Sequence, residues 1–185
     1  MTVSQVSPQD HVRSADSAQG TRFLLVFALL STLMGTSVGI AKVATSLYAL
    51  ELHASDSLLG LIAASQTVGV LLVSVPIGVL VDRYGPARPF MLGSVCAGAI
   101  YALLPLVPST WFLLAGTAAI SFFMPFRFVS LNTLFMRELV RIGVSRAGWY
   151  RGTHMLGMML LGPVFAVWSM ERFSFSGTYR LIALL

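Results

Sequence analysis

Charge is what this sequence has least of. Of 185 residues only 10% are Asp, Glu, Lys or Arg, while 56% are hydrophobic. Soluble globular domains carry roughly 25% charged residues, so the chain cannot cover a water-facing surface. A mean hydropathy of +0.82 places it in a membrane. Cysteine is nearly absent. The lone Cys96 excludes an internal disulfide framework and has no neighbours at metal-ligand spacing. Catalytic groupings are missing as well: His11, His53 and His154 are scattered, and no GxxxxGK loop, nucleophile elbow or carboxylate pair occurs. Neither an enzyme nor a metal or cofactor site is expected. A net charge of +5 would suit nucleic acid only if the basic residues shared one face, and here they are spread between apolar runs.

What the sequence does have is apolar length. Runs recur at about 23–49, 58–81, 90–107, 111–135 and 153–170. A spanning helix needs about 20 predominantly apolar residues to cross a core of roughly 30 Å. The fifth run reaches that length by borrowing Trp149 and Tyr150, which suit an interface. The chain then ends in "TYRLIALL", residues 178–185, which as helix rises only about 12 Å and reads as the start of a sixth span. Residues 1–21 are polar and lack the apolar core of a secretory signal, so a disordered tail is expected there.

Orientation follows from the basic residues. With the N-terminus inside, Arg13, Arg22, Arg83, Arg88, Arg137, Arg141, Arg146 and Arg151 fall on inner segments, and only Arg172 and Arg180 on outer ones. That bias puts the N-terminus in the cytoplasm. The predicted class is an all-α integral membrane bundle of five spans and part of a sixth. The loop 137–151, "RELVRIGVSRAGWYR", can lie as a basic segment on an anionic leaflet, though setting topology is explanation enough.

The second span leaves the membrane through "GVLVDRYGPARP", Gly78 to Pro89. Gly78, Asp82, Arg83 and Gly85 form G-x-x-x-D-R-x-G, in a cytoplasmic turn between spans two and three. This pattern, in this loop and orientation, resembles the loop signature of the major facilitator superfamily. Gly78 would allow close approach of another helix, and Gly85 would supply a positive φ for the turn. Asp82 would pair with a cation or sit at a helix N-terminus. The resemblance implies that the loop latches two halves of a transporter in one state and releases them in another. Pro86 and Ala87 stand where that family usually places a basic residue, and Arg88 is the shifted substitute. Span five carries "GMMLLGP", Gly157 to Pro163, similar to part of the family's antiporter motif, but Ala166 and Val167 replace its glycine pair.

Two cations lie inside spans: Lys42 in "VGIAKVATS" and Arg127 in "MPFRFVSLN". Ionisable groups at depth cost about 2.5–3.5 kcal/mol on insertion scales and usually face a bundle interior or cavity. No Asp or Glu lies within the five runs to pair with them. Arg127, Lys42, Gln66 and Asn132 are therefore the candidate solute-binding residues, and an anionic solute or metal chelate is favoured. Snorkelling remains the alternative for Lys42, and interhelical hydrogen bonding the alternative for Gln66 and Asn132. His154, at the cytoplasmic mouth of span five, reads as an interface residue.

The resemblance covers about residues 22–185 and one half of a two-half fold. It implies transport of a small solute by alternating access, possible coupling to an ion, and a partner that is either a second half or another copy. Lipid is the surrounding partner, and nucleic acid is not one. The membrane is expected to be a bacterial inner or intracellular one, and the chain a truncated N-terminal half. The competing reading is a membrane-embedded assembly or scaffold protein without transport.

Overall fold

The computed structural model describes residues 8–142 and 147–185, and side chains over 20–139 and 148–185. Residues 1–7 and 143–146, the latter part of the basic loop, lie outside the described residues. No strand occurs among those described. Among the described residues five helices are long and apolar enough to cross a membrane: Gly20–Glu51, Asp56–Tyr84, Ala87–Leu106, Thr110–Leu139 and Gly148–Leu184.

Helix α1 runs Pro8–Glu51. It starts inside the segment where composition suggested a disordered tail. Proline is preorganised for the first turn of a helix, and lengthening an existing apolar helix avoids a separate nucleation cost. Helices α2 (Asp56–Tyr84), α3 (Ala87–Leu103) and α4 (Thr110–Ile142) follow. The last part is α5 (Ala147–Leu156), a π turn (Gly157–Leu161) and α6 (Gly162–Leu184). Pro163 accounts for the π turn: it has no N–H to donate, and its ring crowds the carbonyl four residues back, at Met159.

Helix α6 is interrupted at Ser174, with φ 59° and ψ 179°. Thr178 donates a hydrogen bond from Oγ1 to Ser169 Oγ at 3.2 Å. Nine residues of straight helix would separate these groups by about 13.5 Å, so the chain reverses at Ser174. The end of α6 is thus folded back and tucked between α1 and α3. There the buried Tyr179 ring lies 5.7 Å from Tyr48 and 6.4 Å from Tyr101, and its hydroxyl donates to Thr45 Oγ1 at 3.4 Å.

Small residues set the helix contacts, as expected where lipid removes any hydrophobic drive between helices. A Cβ at Gly39 would fall 2.8 Å from Gly162 Cα, which makes the α1–α6 crossing a backbone-to-backbone seam. Ser31 Oγ extends that seam toward the cytoplasm by donating to the Tyr150 carbonyl at 2.9 Å. Between α2 and α4, the Gly69 N–H donates to Ser121 Oγ at 3.0 Å. One core cluster, with Tyr48, Leu104 and Tyr179, fills the outer half; a second, with Phe27, Phe135 and Tyr150, fills the cytoplasmic half. On the outside of α2, Leu71 and Val75 are 76% and 78% exposed, the surface hydrocarbon matches and water would not.

Candidate functional site

Between the two clusters lies a cavity of about 280 Å³. Helical periodicity builds it. From α4, Thr117, Ile120, Ser121, Met124, Pro125, Phe128 and Val129 repeat at three- and four-residue steps and form one stripe. From α1, Met34, Val38, Ala41, Lys42 and Thr45 form a second. Helix α2 adds Gln66, Thr67, Val70 and Ser74, α5 adds His154, the π turn adds Met158, and α3 only Tyr101.

Most polar groups on this wall are already engaged. Thr117 donates to the Leu113 carbonyl at 2.8 Å, and Ser121 to the Ala118 carbonyl at 2.7 Å. Ser74 bonds the Val70 carbonyl, and Thr45 accepts from Tyr179. His154 is buried; its Nδ1 faces the Ser31 carbonyl at 3.3 Å, and its ring meets Phe128 edge-on at 5.2 Å. A carbonyl only accepts, so Nδ1 carries the proton in that contact. Lys42, Gln66 and Thr67 are different: among the described residues no hydrogen bond or ion pair ties down their side chains. Lys42 sits about 14 Å of helix below Glu51, and Gln66 about 15 Å below Asp56, so the two stand at one depth.

Arg127 and Asn132 do not join them. Arg127 is one residue from Phe128 on α4, hence about 100° around the helix from the cavity stripe. It is 6% exposed and lines a separate cavity of about 220 Å³ with Ser94, Val95 and Gly98 of α3 and the end of the chain. Its Nη2 donates to the Leu185 carbonyl at 3.3 Å, and its Nε is buried without a hydrogen-bond partner. Asn132 lies one turn beyond Phe128 toward the cytoplasm, half-buried and outside the lining of both cavities. Of the four residues expected to bind solute, Lys42 and Gln66 line this cavity and Arg127 and Asn132 do not.

At the cytoplasmic turn, Gly85 has φ 78° and ψ 162°, a conformation essentially reserved to glycine. Asp82 accepts from Arg137 Nη2 of α4 at 3.5 Å, with side chains 76% and 51% exposed. Arg83 stacks over the neighbouring Tyr84 ring at 5.6 Å, and Arg88 is exposed in the first turn of α3. Gly78 differs from expectation: a Cβ there would meet nothing within 4 Å, so no described helix of this chain approaches it. Sequence reasoning missed Arg137 as the partner of Asp82, because 55 residues separate them and only the fold unites them. It also set His154 at an interface, whereas the ring lines the cavity. The four-residue step from Met124 to Phe128, extended along α4, was the signal that could have excluded Arg127.

A multi-pass helical bundle with a mid-depth cavity, an untethered cation on its wall and no catalytic grouping among the described residues has the form of a membrane transport protein. The comparison with protein families agrees: the chain belongs to the Major Facilitator Superfamily, whose family model matches residues 25–185. Members of that family are secondary transporters and not enzymes, so membrane lipid and a small solute are its partners. Comparisons with curated proteins and with solved structures gave no match.

Proposed function

We propose that this chain carries an anionic solute across the membrane by alternating access, with Lys42 as the counter-charge and Gln66 as a neighbouring hydrogen-bonding group. The observation that carries the reading is the side chain of Lys42, which borders the cavity without a carboxylate partner among the described residues. A cation at membrane depth is costly unless something offsets its charge, and an incoming anion does so. An organic acid, a phosphate ester or a metal chelate each meets that requirement. Asp82, Arg83, Gly85 and Arg88, with Gly78 free to receive a further helix, act as the cytoplasmic latch. The surface that latch meets belongs to a second transporter half or to another copy of the chain.

Thermal unfolding of the purified chain in lipid nanodiscs tests this. At a concentration one hundred times its dissociation constant, a ligand of the folded state stabilises by about 2.7 kcal/mol. At least one anion of a carboxylate, phosphate-ester and chelate panel should stabilise the wild type, and Lys42→Gln should abolish that effect while Lys42→Arg keeps part of it. Equal stabilisation of wild type and Lys42→Gln by every anion contradicts the role given to Lys42.

A further inference from the structure

The polar groups of the cavity are unevenly distributed. Those without a partner, Lys42, Gln66 and Thr67, gather at one level of α1 and α2. Toward the cytoplasm the wall is mainly Met34, Val70, Met124, Phe128 and Met158; Ser74 Oγ and His154 Nδ1 are committed to backbone carbonyls there, which leaves His154 Nε2 as the polar atom of that end. The result is a cavity with one charged end and an apolar floor. A small, fully hydrated anion would leave most of that floor empty, or wetted by water with little beyond His154 Nε2 to bond. Methionine side chains, unbranched and polarisable, accommodate apolar bodies of varied shape, and three of them line this floor.

Resting on the reading of Lys42 as counter-charge, we infer that the solute is an amphiphilic organic anion: one charged head held at Lys42 and Gln66, and an apolar body lying over Met124, Phe128 and Met158. Lysine is a point charge without the planar fork that selects a head group. Selectivity therefore comes from the body more than the head. The same chemistry could be supplied by a water-borne acid or by an anionic lipid, and the structure favours the former: Lys42 and Gln66 line a cavity to which five helices contribute, whereas Leu71 and Val75, bare on the outside of α2, do not line it.

The test is competition binding to the full chain in zwitterionic nanodiscs, with acetate, butyrate, hexanoate, benzoate and inorganic phosphate as probes and Lys42→Gln as the blank that removes lipid partitioning. Each added methylene should tighten Lys42-dependent binding roughly fourfold, from about 0.8 kcal/mol per buried methylene, until the cavity is full. Benzoate should bind more tightly than acetate, and phosphate should fail to compete where hexanoate does. Met124→Gln should weaken hexanoate and leave acetate unchanged. Lys42-dependent binding that is indifferent to chain length overturns the amphiphile inference and leaves the anion reading intact. Absence of Lys42-dependent binding by any probe overturns both. Displacement of hexanoate by added anionic phospholipid assigns the site to a lipid and overturns the water-borne solute.

Discussion

The two cations in the spans differ in what their surroundings leave them to do, Arg127 being buried and Lys42 exposed. Arg127 faces α3 and the returning end of α6, is 6% exposed, and spends Nη2 on a backbone carbonyl. Lys42 faces a cavity walled by α1, α2, α4 and α5, and none of the described residues engages its ammonium. Charge is shared; helix face and depth are not, Lys42 lying about 14 Å of helix below the outer end of α1 and Arg127 about 26 Å below that of α4. The Arg127 side is packed around a smaller cavity of about 220 Å³ closed by the end of the chain, and the Lys42 side holds one of about 280 Å³. The face of its helix that a cation occupies decides which of the two it lines.

If the packed side carries stability, its largest side chains should show it first. Tyr179 is fully buried and meets Tyr48 and Tyr101. Tyr179→Ala should cost about 3 kcal/mol, the low end for truncating a large aromatic in a packed interior, since lipid rather than water is the reference between helices. Denaturant or thermal unfolding in nanodiscs checks this, and an unchanged midpoint would break the contrast. Gly85→Ala probes the turn, which belongs to neither side. Its φ of 78° with ψ of 162° is a region where any other residue costs of order 1–3 kcal/mol. Stability should fall by that amount, with solute affinity unaltered. The smallest effect belongs to Asp82→Asn. Its pairing with Arg137 is long and exposed, so the unfolding free energy should change by less than about 1 kcal/mol. Raised salt should erase even that difference. A large loss of uptake alongside so small a loss of stability would mark the pair as part of the latch.

Much of the architecture was legible in the sequence because the bilayer imposes it. Apolar length marked the five spans, and the helices found there have the length to cross. The positive φ of Gly85 followed from the turn chemistry, and the motif around it led to the family that the comparison gave. Side-chain facing was less legible. Lys42 and Gln66 are 24 positions apart and line one cavity only because α1 and α2 both wall it. Arg127 was set beside Lys42 because both are cations within apolar runs, and the nine residues of "MPFRFVSLN" are too few to show the stripe that α4 displays over 117–129. The freedom of Gly78 and the Asp82–Arg137 pair likewise depend on which helices stand beside α2, information that local sequence does not hold.

The most direct test of the account is solute uptake into proteoliposomes by wild type, Lys42→Gln and Arg127→Ala, with folding of each variant checked by thermal unfolding. A charged hydrogen bond contributes about 1.5–3 kcal/mol. Lys42→Gln should therefore cut the affinity for an anionic solute by about tenfold to a hundredfold with its unfolding midpoint unchanged. Arg127→Ala should lower stability by about 1–3 kcal/mol, from the carbonyl it leaves unpaired, and keep affinity within about twofold of wild type. The opposite pattern, with affinity lost in Arg127→Ala and retained in Lys42→Gln, would contradict the account.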